Sequence, residues 1–129
     1  MATSYATALR NAQLDAITTF AGNGAKLRIY GGTRPATGGT ATTLLAEFTL
    51  GSPFAGAASG GSLSVTAPAA TTGAADGTAT WFRIVKSDNT FVLDGSVGTS
   101  GADCNLNTTT ISTGVNVSIS SISISRGNA

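Results

Sequence analysis

Apolar residues recur with a helical period near the N-terminus and with a period of two over most of the remaining chain. With Leu9 as reference and about 100° per residue, the apolar residues of segment 3–21 gather on one side of a helix. That side consists of Tyr5, Ala6, Leu9, Ala12, Gln13, Ala16, Ile17 and Phe20. We predict an amphipathic helix over residues 3–21, capped by Thr3 or Ser4 and ended by Gly22, Asn23 and Gly24.

Leu14 lies outside this apolar stripe, on the flank beside Arg10. One interpretation is a partly exposed leucine, which is common on protein surfaces. The other is that this flank of the helix contacts another chain.

After Gly24 the pattern changes to the alternation expected of half-buried strands. Leu27 and Ile29 are apolar, whereas Lys26 and Arg28 between them are charged. The same alternation recurs in residues 44–50 and 62–67. Loops of Gly, Thr, Ser, Ala and Pro over residues 31–43 and 51–61 separate these predicted strands.

The centre of the chain predicts a hairpin with arms at residues 78–86 and 90–94 and a turn at 87–89. Phe82 and Ile84 face one side and Trp81 and Val85 the other, so the first arm carries apolar groups on both faces. Such a strand belongs in the middle of a sheet. Trp81 and Val85 then need a second cover, either the helix or a neighbouring subunit. Asp94-Gly95 predicts a further tight turn.

The last predicted strand contains a change of register. Val115, Val117 and Ile119 are odd-numbered, but Ile122 and Ile124 are even-numbered. Either a β-bulge at Ser120-Ser121 keeps them on one face, or the strand crosses from one sheet to another. The sequence as a whole predicts one domain over residues 1–129. Its β part, residues 25–125, is expected to be an antiparallel two-sheet sandwich of about eight strands.

The amino-acid composition limits the kinds of catalytic and metal site that the chain can form. The 129 residues include no His and one Cys, which removes imidazole catalysis, an intramolecular disulfide and a Cys-rich zinc site. Ala, Thr, Gly and Ser make up more than half of the chain, so we expect a thin core that subunit or partner contacts supplement. The six carboxylates fall mostly in predicted turns. We therefore expect neither an enzyme nor a cofactor or metal site.

Charge and hydropathy bear on partners and location. Seven basic and six acidic residues are spread along the chain, without the clustered basic patch of a nucleic-acid-binding protein. The long uncharged stretches, residues 48–75 and 104–125, contain prolines and glycines or alternate polar with apolar residues, unlike a membrane span. No secretory signal is recognisable, so we expect synthesis and retention in the cytoplasm of the producing cell.

A small sugar-binding β-sandwich is one alternative function, because such modules bind on exposed aromatic rings. Trp81, Tyr5 and Tyr30 are the candidate rings, and none of them is placed to form a platform. A single stack on Tyr30 remains possible from sequence alone.

Several segments resemble the small virion proteins of tailed bacteriophages, across nearly the whole chain. The segments are Ala8-Leu9-Arg10-Asn11-Ala12-Gln13-Leu14-Asp15-Ala16, Leu27-Arg28-Ile29-Tyr30-Gly31-Gly32-Thr33-Arg34-Pro35, Leu44-Leu45-Ala46-Glu47-Phe48, Ala79-Thr80-Trp81-Phe82-Arg83-Ile84-Val85, Val92-Leu93-Asp94-Gly95-Ser96-Val97-Gly98, Gly101-Ala102-Asp103 and Asn105-Leu106-Asn107. The resemblance implies a head decoration, or cement, protein with a jelly-roll-like sandwich. Such a protein assembles on the outside of an icosahedral capsid and clamps neighbouring major capsid proteins, without catalytic residues.

That role sets the expected partners and location. The partners would be the major capsid protein and a second copy of the chain, with a homodimer favoured over a trimer. The expected location is the exterior of the capsid, after synthesis in the bacterial cytoplasm. Residues expected at partner interfaces are Arg10, Leu14, Arg34, Phe54 and Trp81. A tail or baseplate component is the other structural alternative.

Overall fold

The computed structural model describes residues 4–51 and 54–125 and shows a mainly β fold with one helix. The elements are α1 (Thr7–Ala21), β1 (Lys26–Gly31), β2 (Leu44–Thr49), β3 (Ser62–Val65), β4 (Thr71–Thr72), β5 (Gly77–Val85), β6 (Phe91–Gly98), β7 (Cys104–Leu106), β8 (Thr110–Ile111), β9 (Asn116–Val117) and β10 (Ile119–Ser125). The predicted mainly β class with an N-terminal helix is confirmed.

Most strands join one large sheet, in the order β2-β1-β5-β6-β7-β10-β3, and β8 adds to β5. Strands β4 and β9 form a separate two-stranded sheet. Leu27 of β1 and Phe82 of β5 share one buried core with Leu63 of β3 and Ile122 of β10. Because these strands are far apart in the sheet order, the sheet curls around that core.

The large sheet is mixed, whereas the alternation predicted antiparallel strands throughout. β6 and β7 run parallel, with Val97 opposite Cys104. A connection of five residues normally joins antiparallel strands, because parallel neighbours usually need a longer crossover. Here residues 99–103 turn the chain through a full circle, so that β7 runs in the same direction as β6. The Asp103 carboxylate stabilises this loop by accepting hydrogen bonds from the backbone N–H and the hydroxyl of Ser96, at 3.1 and 3.2 Å.

The central hairpin of β5 and β6 is confirmed, and it lies in the middle of the sheet. Asn89 takes a positive φ of 70° in its turn, and Asp88 accepts a hydrogen bond from the Thr90 N–H at 3.0 Å. The predicted turn at Asp94-Gly95 is wrong, because β6 continues to Gly98. Gly95 serves packing instead: a Cβ there would lie 2.4 Å from the Phe82 ring.

The predicted bulge at Ser120-Ser121 is confirmed. Ile119 pairs with Leu106 and Ser121 pairs with the preceding residue of β7, so the register shifts between Ile119 and Ser121. The shift leaves Ile119 and Ile122 both buried. The preceding strand β9 pairs with β4, so the chain also passes from the small sheet to the large one. Val115 does not share the buried face and is 54% exposed.

Helix α1 begins at Thr7, and its N-cap residue Ala6 makes no side-chain capping bond, so the predicted Ser4 cap is wrong. Thr3 lies outside the described residues. The predicted end is confirmed, because Gly22 takes φ 68° and its N–H bonds to the Thr18 carbonyl. α1 is the only helix in the described ranges, and it is too short to cross a membrane.

The side of α1 that packs inward is not the predicted apolar stripe. Leu14 enters the core with 2% exposure. Beside it, Asn11 accepts a hydrogen bond from the Gly61 N–H at 2.9 Å and Asp15 accepts one from the Ala58 N–H at 2.7 Å. Both polar side chains therefore attach the helix to the loop that precedes β3.

Most of the predicted apolar stripe faces outward, whereas Ile17 at its edge is half-buried and packs against the core. Leu9 and Phe20 are 48% and 52% exposed, and Ala12 and Ala16 between them are also exposed. We call Leu9, Ala12, Ala16 and Phe20 the outer stripe of α1. The Lys86 ammonium lies 4.7 Å from the centre of the Phe20 ring.

Candidate functional site

A row of charged residues crosses four adjacent strands on one face of the large sheet. Register places Glu47 of β2 opposite Arg28 of β1, Arg28 opposite Arg83 of β5, and Arg83 opposite Asp94 of β6. The two arginines are therefore neighbours, and each has a carboxylate on its other side. Arg28 Nε lies 2.7 Å from a Glu47 oxygen, and Arg83 Nε lies 2.7 Å from an Asp94 oxygen.

The Arg83–Asp94 pair is buried and bidentate. A second bond joins Arg83 Nη2 to Asp94 Oδ2 at 3.1 Å, and the side chains are only 10% and 7% exposed. The hydrogen bonds that Arg83 donates to Asp94 raise the pKa of Arg83 above its usual value, so the guanidinium stays charged. This pair acts as a structural clamp between the two central strands.

Trp81 lies on the same sheet face and is 1% exposed. Its ring stacks on Tyr30 at a centroid distance of 4.4 Å and an interplanar angle of 17°. Its Nε1–H donates to Thr42 Oγ1 at 3.0 Å, and the Arg83 guanidinium lies 5.2 Å from the ring centre. On this second face of β5, Trp81 is thus covered by Tyr30, Arg83 and the loop between β1 and β2, and not by the helix or a neighbouring subunit.

The same loop forms a surface groove with β6. The groove has a volume of about 440 Å³ and is lined by Arg34, Pro35, Ala36, Thr37, Phe91, Val92, Leu93 and Asp94. Phe91 is half-buried at its wall, and the Arg83 guanidinium lies 5.1 Å from the centre of its ring. We call this feature the Arg34 groove.

Arg34 differs from the other basic residues in the described part of the chain. Arg28, Lys26 and Arg83 pair with carboxylates, Lys86 lies over a ring, and Arg10 donates to a hydroxyl. Arg34 is exposed and has no hydrogen bond, ion pair or ring contact with any described residue. Its charge is therefore available to another molecule.

The five residues expected at partner interfaces have different environments. Leu14, Phe54 and Trp81 are 2%, 0% and 1% exposed, which leaves them no surface for a partner, and their assignment is corrected. Apolar contacts within the chain already cover these side chains. Arg10 is half-buried on the helix and donates to Thr7 Oγ1 at 3.0 Å. Arg34 is the one of the five that is exposed.

The structure brings Arg34 together with Phe91, which sequence reasoning did not single out. The signal for Phe91 was its place at the start of the second hairpin arm, opposite Val85 in register. Nothing in the local sequence indicates that the distant loop of Arg34 folds back beside it. The pairing therefore appears only in the tertiary structure.

The carboxylates outside the charged row accept hydrogen bonds from backbone amides. Asp76 accepts from the Thr113 N–H at 2.7 Å. Asp88 accepts from the turn N–H of Thr90, and Asp103 accepts from the N–H of Ser96 in β6. Hydrogen bonds from the backbone N–H and the hydroxyl of Thr113 favour the ionised form and lower the pKa of Asp76. Hydrogen bonds from the hydroxyl and the backbone N–H of Thr90 lower the pKa of Asp88 in the same way. Within the described residues, no three Asp, Glu, Cys or His side chains form a group that could hold a metal ion.

The single thiol is also inert. Cys104 is buried in the core, and burial raises its pKa to about 12. The thiolate that nucleophilic chemistry requires is therefore scarce at neutral pH.

On the described surface, the Arg34 groove presents one free guanidinium beside a partly exposed aromatic ring, an arrangement suited to recognition. Comparison with known proteins adds no assignment. No protein-family model, no curated protein and no solved structure matches the chain.

Proposed function

We propose that this chain is a head decoration protein of a tailed bacteriophage, which binds the outer surface of the capsid and stabilises contacts between major capsid proteins. The observation that carries the proposal is the exposed, unpaired Arg34 at the rim of the Arg34 groove. The role requires no reaction. The bacteriophage assignment itself comes from the sequence resemblance, and the jelly-roll-like sandwich implied by it is part of the proposal.

The Arg34 groove has the residue types on which protein interfaces depend. Arg and aromatic residues supply a large share of binding energy where they meet a partner. Phe91 and Arg34 provide both types on opposite walls of one groove. An unpaired guanidinium forms bidentate bonds with a carboxylate, so we expect an acidic side chain of the capsid protein to enter the groove.

Contacts within the chain hold both walls of the groove in place. The Arg83–Asp94 clamp holds the β6 wall, with both side chains nearly buried. Trp81 bonds to Thr42 and so holds the loop that carries Arg34. A preformed site loses little conformational entropy on binding, which favours affinity at a small contact area.

Binding to the lattice explains how such a protein would stabilise a capsid. A ligand that binds the assembled shell, but not its separated subunits, shifts the equilibrium toward the shell by mass action. The chain has a formal net charge of +1. Near-neutral charge allows many copies to lie close together on one surface without strong repulsion.

The proposal is tested with capsids prepared without this protein. Purified wild-type chain should co-sediment with them and raise their resistance to heat. Arg34→Ala should weaken binding by about tenfold or more, because an interfacial Arg is lost. Lys26→Ala removes the same charge from a cation 3.9 Å from Glu47 and should bind like wild type. Absence of co-sedimentation, or capsids equally stable with and without the chain, contradicts the proposal.

Copy number distinguishes the head from the tail. A decoration protein is present in hundreds of copies per particle, whereas a ring-shaped tail or baseplate component is present in roughly a dozen or fewer. Quantitative mass spectrometry of purified particles measures this directly. A low copy number would favour the tail or baseplate alternative.

Tyr30, the candidate residue of the sugar-binding alternative, is not accessible to a sugar. Tyr30 is 5% exposed and its ring is stacked on Trp81, so it offers no face to a sugar. A glycan screen that found specific binding would have to place it elsewhere on the surface.

A further inference from the structure

The outer stripe of α1 is an apolar surface that the chain itself leaves largely uncovered, although the Lys86 ammonium lies over one end of it, 4.7 Å from the centre of the Phe20 ring. Leu9 and Phe20 at its ends are about half exposed, and the two positions between them are alanines. No charged residue belongs to the stripe. Interface centres share this depletion of charge, because a buried charge without a partner is costly.

The order of residue sizes along the stripe is the same in both directions. Over its four members it runs large, small, small, large, in the order Leu9, Ala12, Ala16 and Phe20, and the half-buried Gln13 borders the alanines. A two-fold interface requires that residue i contacts j and that j contacts i. An antiparallel pair of helices that crosses between the alanines meets this condition, with Leu9 opposite Phe20 of the other copy and Ala12 opposite Ala16.

We infer that the outer stripe pairs with the outer stripe of a second copy of this chain, as an antiparallel helix pair about a two-fold axis. The alanines at the crossing allow the helix axes to approach to about 8 Å, the short end of the usual range. Leu9 and Phe20 lie 11 positions apart, or about 16 Å along the helix. Leu9 of each copy then packs against Phe20 of the other copy, at the two ends of the contact.

The apolar area that the two outer stripes can bury determines how tightly the dimer associates. A Phe side chain that is 52% exposed leaves about 100 Å² available for burial. The two large residues of both copies together therefore give a few hundred Å², and the alanines add less. This total is below the roughly 1,000 Å² typical of permanent interfaces, so the dimer is concentration-dependent.

Sedimentation equilibrium on the full chain tests the pairing. The weight-average mass should rise with concentration from 12.7 kDa toward twice that value. Ala16→Arg places a long charged side chain at the crossing and should hold the protein at the monomer mass. Ala8→Arg is the matched control, because Ala8 is exposed on the same helix but outside the stripe. It should dimerise like wild type.

Cysteine cross-linking tests the orientation. Mixing an Ala12→Cys chain with an Ala16→Cys chain under mild oxidation should give a disulfide-linked dimer, whereas either variant alone should cross-link poorly. The native Cys104 is buried and does not compete. Efficient cross-linking of Ala12→Cys with itself would indicate a parallel pair and overturn the inference. A monomer at every concentration, or a dimer that survives Ala16→Arg, would also overturn it.

The inference is independent of capsid binding. A chain that dimerises but does not bind capsids retains the helix pairing and loses the proposed function. A monomeric Ala16→Arg variant that still binds capsids separates the two surfaces in the other direction.

Discussion

Asp94→Ala should be among the most destabilising single substitutions in the sheet. The change removes both oxygens that accept hydrogen bonds from Arg83, at 2.7 and 3.1 Å. The guanidinium then remains nearly buried beside the Trp81 and Phe91 rings, which attract its charge but accept no ordinary hydrogen bond. Its neighbour in register is Arg28, a like charge.

The magnitude follows from burial. Removing one partner of a buried ion pair costs about 3–5 kcal/mol, because the remaining charge is desolvated and unpaired. For a chain of 129 residues this corresponds to a fall of about 10–20 °C in Tm. Replacing both partners by apolar residues, as in Arg83→Met with Asp94→Leu, should recover most of the loss, since no buried charge is left.

The assay is urea unfolding followed by far-UV circular dichroism, with the slope m compared among variants. Lys26→Ala is the control, because the Lys26–Glu47 pair is 3.9 Å long and both side chains are more than one-third exposed. We expect that control to cost less than about 1 kcal/mol. If Asp94→Ala costs no more than Lys26→Ala, or the double variant is no more stable than Asp94→Ala, the reasoning about the clamp is wrong.

Three further predictions concern packing and reactivity. Leu14→Ala should lower the free energy of unfolding by about 2–5 kcal/mol, whereas Leu9→Ala on the same helix should change it by less than about 0.5 kcal/mol; equal losses in thermal unfolding would contradict the observed helix orientation. Gly95→Ala should cost about 1–3 kcal/mol, because the new methyl group meets the Phe82 ring, and an unchanged urea midpoint would contradict this. Since burial raises the pKa of Cys104 to about 12, the thiol stays protonated at pH 8.5, and iodoacetamide should label it only after denaturation.

Structural features that depend only on residues close together in the chain were predictable from the sequence. The hairpin of β5 and β6 follows from two alternating segments around Asp88 and Asn89. The bulge at Ser120 follows from the change of parity between Ile119 and Ile122. In both cases the apolar residues that carry the pattern lie within a few positions of the turn or bulge they determine.

The orientation of α1 was not predictable in this way. Counting apolar residues selects the stripe of Leu9 and Phe20, but the inner side of the helix carries Asn11 and Asp15. Their hydrogen-bond donors are backbone amides more than 40 positions away, and no local pattern records such a contact. The Trp81–Thr42 bond, which covers the second face of β5, escaped prediction for the same reason.

The candidate site was predictable only at Arg34. Sequence gives the position of each cation but not which cations find partners, and five of the six described ones do so through contacts fixed by the fold. The sixth, Arg34, is recognisable as free only once the other five are paired. Phe91 joins it because the loop that carries Arg34 folds back beside the start of β6, where residues 91–94 line the groove.

The composition of the chain makes the exposed positions of Phe20 and Leu9 informative. A chain in which small residues form the majority has few large apolar side chains for its core, and only five are Phe. One of these five, Phe20, is 52% exposed, and Leu9 joins it on the same stripe. On the inner side of the helix, Leu14 enters the core and Asn11 and Asp15 make polar contacts, so Leu9 and Phe20 take no part in attaching it. A thin core that leaves such residues outside indicates a surface that another protein chain completes.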